Sequence, residues 1–209
     1  IPHTVRKVGA KTVELPHSLR VLVPGELDAR ITAKVLSTDG SFIPAGFENM
    51  IVKAGSVVTL PLNPNLPASK FGLHIESDEP IVASVLSSTV AENKSDFIWS
   101  TSAPELRQVT FATSGLSPQL VFIGGAISID LELFFNNGKR KVVSVRGEEI
   151  ATFQIPDAVR SFEFLKVSKA TFGAGLVATK SGYGYFPLAA GSELTKSSVP
   201  LSNIRVLTP

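Results

Sequence analysis

The sequence contains no cysteine, one methionine and one tryptophan in 209 residues. Without thiols there is no disulfide, no thiolate metal site and no cysteine nucleophile. That absence assigns no compartment, since exported bacterial proteins often lack cysteine as well. Charge is also sparse: 18% of residues are charged, the net charge is +2, and lysine and arginine are scattered. Nucleic acid wants a concentrated basic face, so no nucleic-acid partner is expected. The two basic clusters are Arg6-Lys7 with Lys11, and Lys139-Arg140-Lys141. Both read as solvated surface near hairpin ends, where charge discourages edge pairing. No apolar run approaches the roughly 18 residues of a membrane span, and no long window shows helical spacing. The chain starts at Ile1 rather than Met. That start fits an excised ectodomain or a processed chain, with any signal or anchor outside these residues.

What is present is a period of two. In Ile129-Asp130-Leu131-Glu132-Leu133-Phe134-Phe135-Asn136-Asn137-Gly138, apolar residues alternate with polar ones. A weaker twin runs from Ile31 to Gly40. Alternation places one set on each face of a strand. Each run ends in a turn dipeptide, Asp39-Gly40 or Asn137-Gly138, which tolerates positive φ and closes a hairpin.

Further correspondences follow in the same order. Leu120 to Gly125 matches Leu19 to Gly25, and Ile150 to Ile155 matches Val57 to Leu62. Thr171 to Leu176 matches Ile81 to Leu86, and Tyr183 to Phe186 stands where Phe97 to Trp99 stood. Gly191 to Leu194 echoes Ala103 to Leu106. Ordered self-similarity of this kind marks a duplicated unit. Many short strands between Gly, Pro and Asn turns indicate sandwiches or barrels. The expectation is an all-β chain of two tandem β-sandwich domains of similar topology, residues 1–107 and 108–209, arising from an internal repeat. Other strands are expected at Thr12 to Leu15, Phe71 to Ile75, Val109 to Ala112 and Ile204 to Leu207. Residues 41–50, 63–67 and 91–95 read as loop, the second copy having lost the long loops near 41–50 and 63–70. Pro61 suggests that Val57 to Leu62 is an edge strand or that a strand ends there.

Reactive chemistry is hard to find. Gly173-Ala174-Gly175-Leu176-Val177-Ala178 resembles a dinucleotide fingerprint as a string, but that motif needs a helix starting inside it. Thr179 to Tyr183 breaks any such helix, so the glycines read as room for a closely packed backbone or ring. His3, His17 and His74 show no ligand spacing, and no nucleophile elbow accompanies them. Glu76, Asp78 and Glu79 read as a solvated acidic turn rather than a calcium loop. Asn93-Lys94-Ser95 is a glycosylation sequon, which matters only on a eukaryotic secretory route. No catalytic residue, metal ligand or cofactor is expected. The residues best suited to binding are Trp99, Tyr183 and Tyr185, whose rings suit stacking on a sugar, with Asp96 to orient a hydroxyl. Against this, Trp99 also fits a place in the core of the first unit, as Tyr185 or Phe186 does in the second.

Four segments carry a family resemblance: Leu22-Val23-Pro24-Gly25, Val57 to Leu60, Glu79 to Val85, and Asp96 to Trp99. With these the chain resembles an uncharacterised family of secreted or membrane-anchored actinobacterial envelope proteins built from a domain of unknown function. The family's usual Asn-Pro-Gly is Val23-Pro24-Gly25 here, and Ile123-Gly124-Gly125 departs further. The resemblance implies a β-sandwich outside the cytoplasmic membrane and carries over no catalytic residue. The function expected is a non-catalytic extracellular module of the bacterial envelope, acting as spacer, scaffold or protein-interaction domain. The alternative is a carbohydrate-binding module. The corresponding partners are another envelope protein or a cell-wall glycan.

Overall fold

The computed structural model describes residues 1, 5–8, 11–62, 70–91, 94–113, 115–179 and 182–189. All regular structure among them is β. A hairpin of β1 (Val5–Val8) and β2 (Lys11–Glu14) stands apart as a two-stranded sheet. Next come β3 (His17–Leu22), β4 (Ala29–Ser37), β5 (Gly40–Phe42), β6 (Met50–Val52), β7 (Val57–Leu62), β8 (Gly72–Ser77), β9 (Val82–Ala91) and β10 (Lys94–Thr101). Then follow β11 (Thr110–Ala112), β12 (Gln119–Ile123), β13 (Ile127–Phe135), β14 (Arg140–Gly147), β15 (Ile150–Gln154), β16 (Val159–Val167), β17 (Phe172–Thr179) and β18 (Gly182–Pro187).

The strands form two pairs of antiparallel sheets. In the first half one sheet has the order β10-β9-β3-β7, and in the other β4 pairs with β5, β6 and β8. In the second half the orders are β15-β12-β17-β18 and β11-β16-β13-β14. The pairings run in step: β3 lies between β7 and β9, and β12 lies between β15 and β17. Likewise β4 pairs with β8, and β13 with β16.

Alternation explains the cores. Leu19 and Val21 of β3 and Ile31, Ala33 and Val35 of β4 are fully buried in one cluster, and Phe71 and Leu62 join them. Leu120, Phe122, Ile129, Leu131, Phe162 and Phe164 form the second cluster. There Phe162 and Phe164 meet edge to face at 5.7 Å, a favoured aromatic geometry. The long strand β13 turns at Gly138, whose φ of 79° favours glycine. Pro61 does lie on an edge strand, β7, where its missing N–H breaks no ladder.

Several expectations need correction. Residues 41–50 are not wholly loop: β5 reaches Phe42 and β6 begins at Met50. Between them Phe47 is buried and its carbonyl accepts the Ala33 N–H at 2.9 Å, standing in for a ladder bond. The segment 91–95 is not a plain loop either, since β9 runs to Ala91 and β10 starts at Lys94. Three strands had no counterpart in the sequence reading, β1, β14 and β16. Where the first half has β5, a loop and β6, the second has the unbroken β14. The expectations at residues 63–67, 191–194 and 204–207 lie outside the described residues.

Candidate functional site

The side chains suited to binding sit on β10 and β18. Along β10, Ile98 and Ser100 are buried while Phe97 and Trp99 project from the outward face. Trp99 is opposite Leu86, and Leu86 is opposite Ser18. Tyr185 is opposite Leu176, and Leu176 is opposite Gln119. Trp99 and Tyr185 thus hold corresponding register positions, and neither points into its own sheet pair. The core position considered for Trp99 is not the one it takes, because strand parity sends it outward. Its ring lies under the Arg20 guanidinium, 5.2 Å from the centroid. Such contacts contribute about 0.5–1 kcal/mol at exposed sites.

The two outward faces differ in what meets them. That of the β12 sheet carries Val121, Ile123, Ile150, Leu176 and Tyr185, and these pack together. The first half covers them. Gly72 of β8 lies against Ile123, so close that a Cβ there would run into the Ile123 side chain. The Tyr185 hydroxyl donates to the Thr101 carbonyl, and Lys34 Nζ donates to Glu149 Oε1 at 2.7 Å. That bond holds the Glu149 carboxyl below its ordinary range, whereas burial pushes the Tyr185 phenol up. The outward face of the β3 sheet is solvated instead. It shows Phe97, Val82 and Val57 at 61%, 60% and 59% exposure, interleaved with Ser18, Arg20 and Ser84. Where β12 has Val121, β3 has Arg20; where β17 has Ala174, β9 has Ser84.

Of the four residues singled out for binding, three come together. Asp96, Tyr183 and Tyr185 line one shallow concavity with Gly182 and Phe186, and Trp99 does not share it. Asp96 Oδ1 accepts the Phe97 N–H at 2.8 Å, and its Oδ2 faces Gly182. Sequence reasoning missed Phe97 and Arg20, which flank Trp99 on the outward face. The strand parity of Phe97 was available as a signal; the approach of Arg20 across the sheet was not.

The other residues weighed for chemistry are accounted for structurally. The Gly173 to Ala178 string lies within β17, with no helix inside it. The Phe186 ring covers Gly175, while Leu188 and Phe122 cover Gly173. His17 is buried, with Nδ1 2.8 Å from Ser87 Oγ and its ring edge-on to Phe71. His74 is on the surface, 3.9 Å from Glu76. In the acidic turn, Asp78 accepts the Arg30 N–H at 2.7 Å. Among the described residues no group of three or more His, Asp or Glu gathers as a metal site would require. No helix among them is long and apolar enough to cross a membrane. His3 and Asn93 lie outside the described residues.

A model of a family of unknown function, DUF5719, matches residues 9–149. The chain belongs to this family. The match takes in the outward face of the β3 sheet, runs past Arg107 into the second half, and ends at Glu149, the partner of Lys34. The matched stretch is longer than either half. No curated protein and no solved structure matches the chain.

Proposed function

We propose that this DUF5719 chain is a pair of β-sandwiches, residues 1–107 and 108–209, descended from one duplicated unit. It acts as a non-catalytic spacer or protein-interaction module outside the cytoplasmic membrane of an actinobacterial cell. One observation carries the reading: the apolar outward face of the β12 sheet is consumed by the junction. Two sandwiches joined by a flexible linker would each keep a polar outer face. Here the second half gives up its face to hold a fixed angle to the first, as a strut requires. The matching strand orders β7-β3-β9-β10 and β15-β12-β17-β18 support the duplication. Inter-domain contacts of this apolar kind restrict relative motion. Spin labels on Ser56 and Asn137 test it. A single narrow distance distribution is expected, and a broad one would count against the strut. Periplasmic or surface fractionation of the full-length gene product tests the location.

A second reading has its own observation. Exposed Phe97 and half-buried Trp99 form an outward aromatic platform, with the Arg20 guanidinium over the Trp99 ring. Flat rings meet the C–H face of a sugar, and a guanidinium suits a hydroxyl or an acidic substituent. This favours a cell-wall glycan over a purely apolar partner. Calorimetric titration of cell-wall polymers decides between the readings. Heat that vanishes in Trp99→Ala supports glycan binding, and no heat with any polymer ends it.

A further inference from the structure

The flanks of the two sheet pairs are closed differently. In the second half, β11 adds to β16 and brings Phe111 against Phe162 and Phe164 at 5.4 and 5.9 Å. In the first half Ile1 stands beside the segment leading into the corresponding strand, with its carbonyl accepting the Phe71 N–H at 3.0 Å. The second half faces this flank. A half-open cavity of about 400 Å³ results, running from Leu19 and Val85 inside the first core to Ile123 and Phe172 of the second half. That volume lies within the roughly 300–1,000 Å³ of small-molecule sites.

Two features specify what would fit. No Lys, Arg, Asp or Glu lines the cavity. The ionisable groups that line it are His74, Tyr185 and the Ile1 amino group, which burial lowers to about 5, so a carboxylate would lose its hydration there with no fixed lysine or arginine to offset the loss. The second feature is Ser100. It is 5% exposed, lines the cavity, and its hydroxyl makes no hydrogen bond within the protein. Buried hydroxyls are ordinarily paired, so one left over beside a cavity is a donor awaiting an acceptor. Ser100 takes the place on β10 that Phe186 takes on β18, where the ring fills the second core. The first core thus has a small polar group where the second has a large apolar one.

We infer that this cavity binds a slender, uncharged lipid chain whose carbonyl or ester oxygen accepts the Ser100 hydroxyl. The chain lies between Phe71, Ile75 and Val85 on one side and Ile123 and Phe172 on the other. The site is separate from the outward platform of Trp99 and does not depend on glycan binding there.

The test is fluorescence titration of the whole chain with methyl cis-parinarate and, in parallel, with the free acid. The expected result is saturable binding of one ester per chain, with the acid at least tenfold weaker. Ser100→Ala should weaken the ester about fivefold, the effect of one neutral hydrogen bond, without lowering the melting temperature. Ala83→Leu, which fills the cavity from β9, should abolish binding; if that variant does not fold, Ser102→Leu takes its place. Trp99→Ala should bind as the parent does. Absence of saturable binding would overturn the inference. So would equal affinity for acid and ester, or a loss that follows Trp99→Ala rather than Ser100→Ala.

Discussion

Single residues set tolerances that the strand pattern alone does not reveal. Gly175 is the clearest, because a Cβ there would enter the space of the Phe186 ring. Gly175→Ala is expected to cost about 1–3 kcal/mol, the usual range for overpacking. Phe186→Leu in that background should recover part of the loss, as neighbouring sites are not additive. Urea unfolding of the four variants measures both effects. Titration adds a second prediction. Ser144 and Arg146 donate to Asp130 at 2.7 and 2.9 Å and hold its carboxyl below the ordinary range. A depressed folded value means stability present above about pH 4 and lost as pH falls through the folded value. Asp130→Asn should flatten that acid limb. Tyr185 has the opposite sign: burial raises its phenol, so its contribution is full below about pH 10 and lost as pH rises further. Tyr185→Phe should remove that alkaline loss, followed by unfolding across the alkaline range.

Among the elements, strands with strict alternation are the ones legible in the sequence. On β13, Ile127, Ile129, Leu131 and Leu133 are buried at every second position, and their order alone placed the strand and its Asn137-Gly138 turn. Its neighbours were hidden for physical reasons. The register of β16 against β13 shifts twice, between Asp130 and Leu131 and between Phe134 and Phe135. A bulge resets which face a residue takes, so the period of two is lost in the sequence. β14 is an edge strand, and its exposed Arg140, Lys141 and Val142 blur any contrast between faces. The polar 91–95 segment misled in another way: polar residues sit well in a strand when a hairpin ladder supplies their bonds. At the candidate site, parity could reveal the outward aromatics. The cavity left no sequence signal, because it arises from residues far apart in the chain. The contrast between β13 and β14 gives a third prediction. Leu131→Ala should cost about 2–5 kcal/mol through an unfilled cavity. Val142→Thr, more than half exposed, should stay within about 0.5 kcal/mol. Chemical denaturation of the two variants provides the comparison.

For the whole molecule, the junction decides whether the chain behaves as one body. Val121 sits in its apolar cluster and is buried. A carboxylate there would be unpaired and desolvated, so Val121→Asp should part the halves while sparing each core. The expected signs are a larger radius of gyration in small-angle scattering and two unfolding transitions in place of one. A single unchanged transition with an unchanged radius would mean that the junction contributes little to holding the halves together.

The polar residues scattered over the β3 sheet also bear on how far such stacking can go. Surfaces that dock head to tail do not close on themselves, and an unblocked series grows into a fibre. Arg20, Ser18 and Ser84 occupy the places where the second half offers Val121, Gln119 and Ala174. Polar side chains at these places weaken apolar docking of another molecule on that face, because they would have to be desolvated. Arg20→Val with Ser84→Ala should lift that block, and sedimentation velocity should then show concentration-dependent oligomers beyond those of the parent protein.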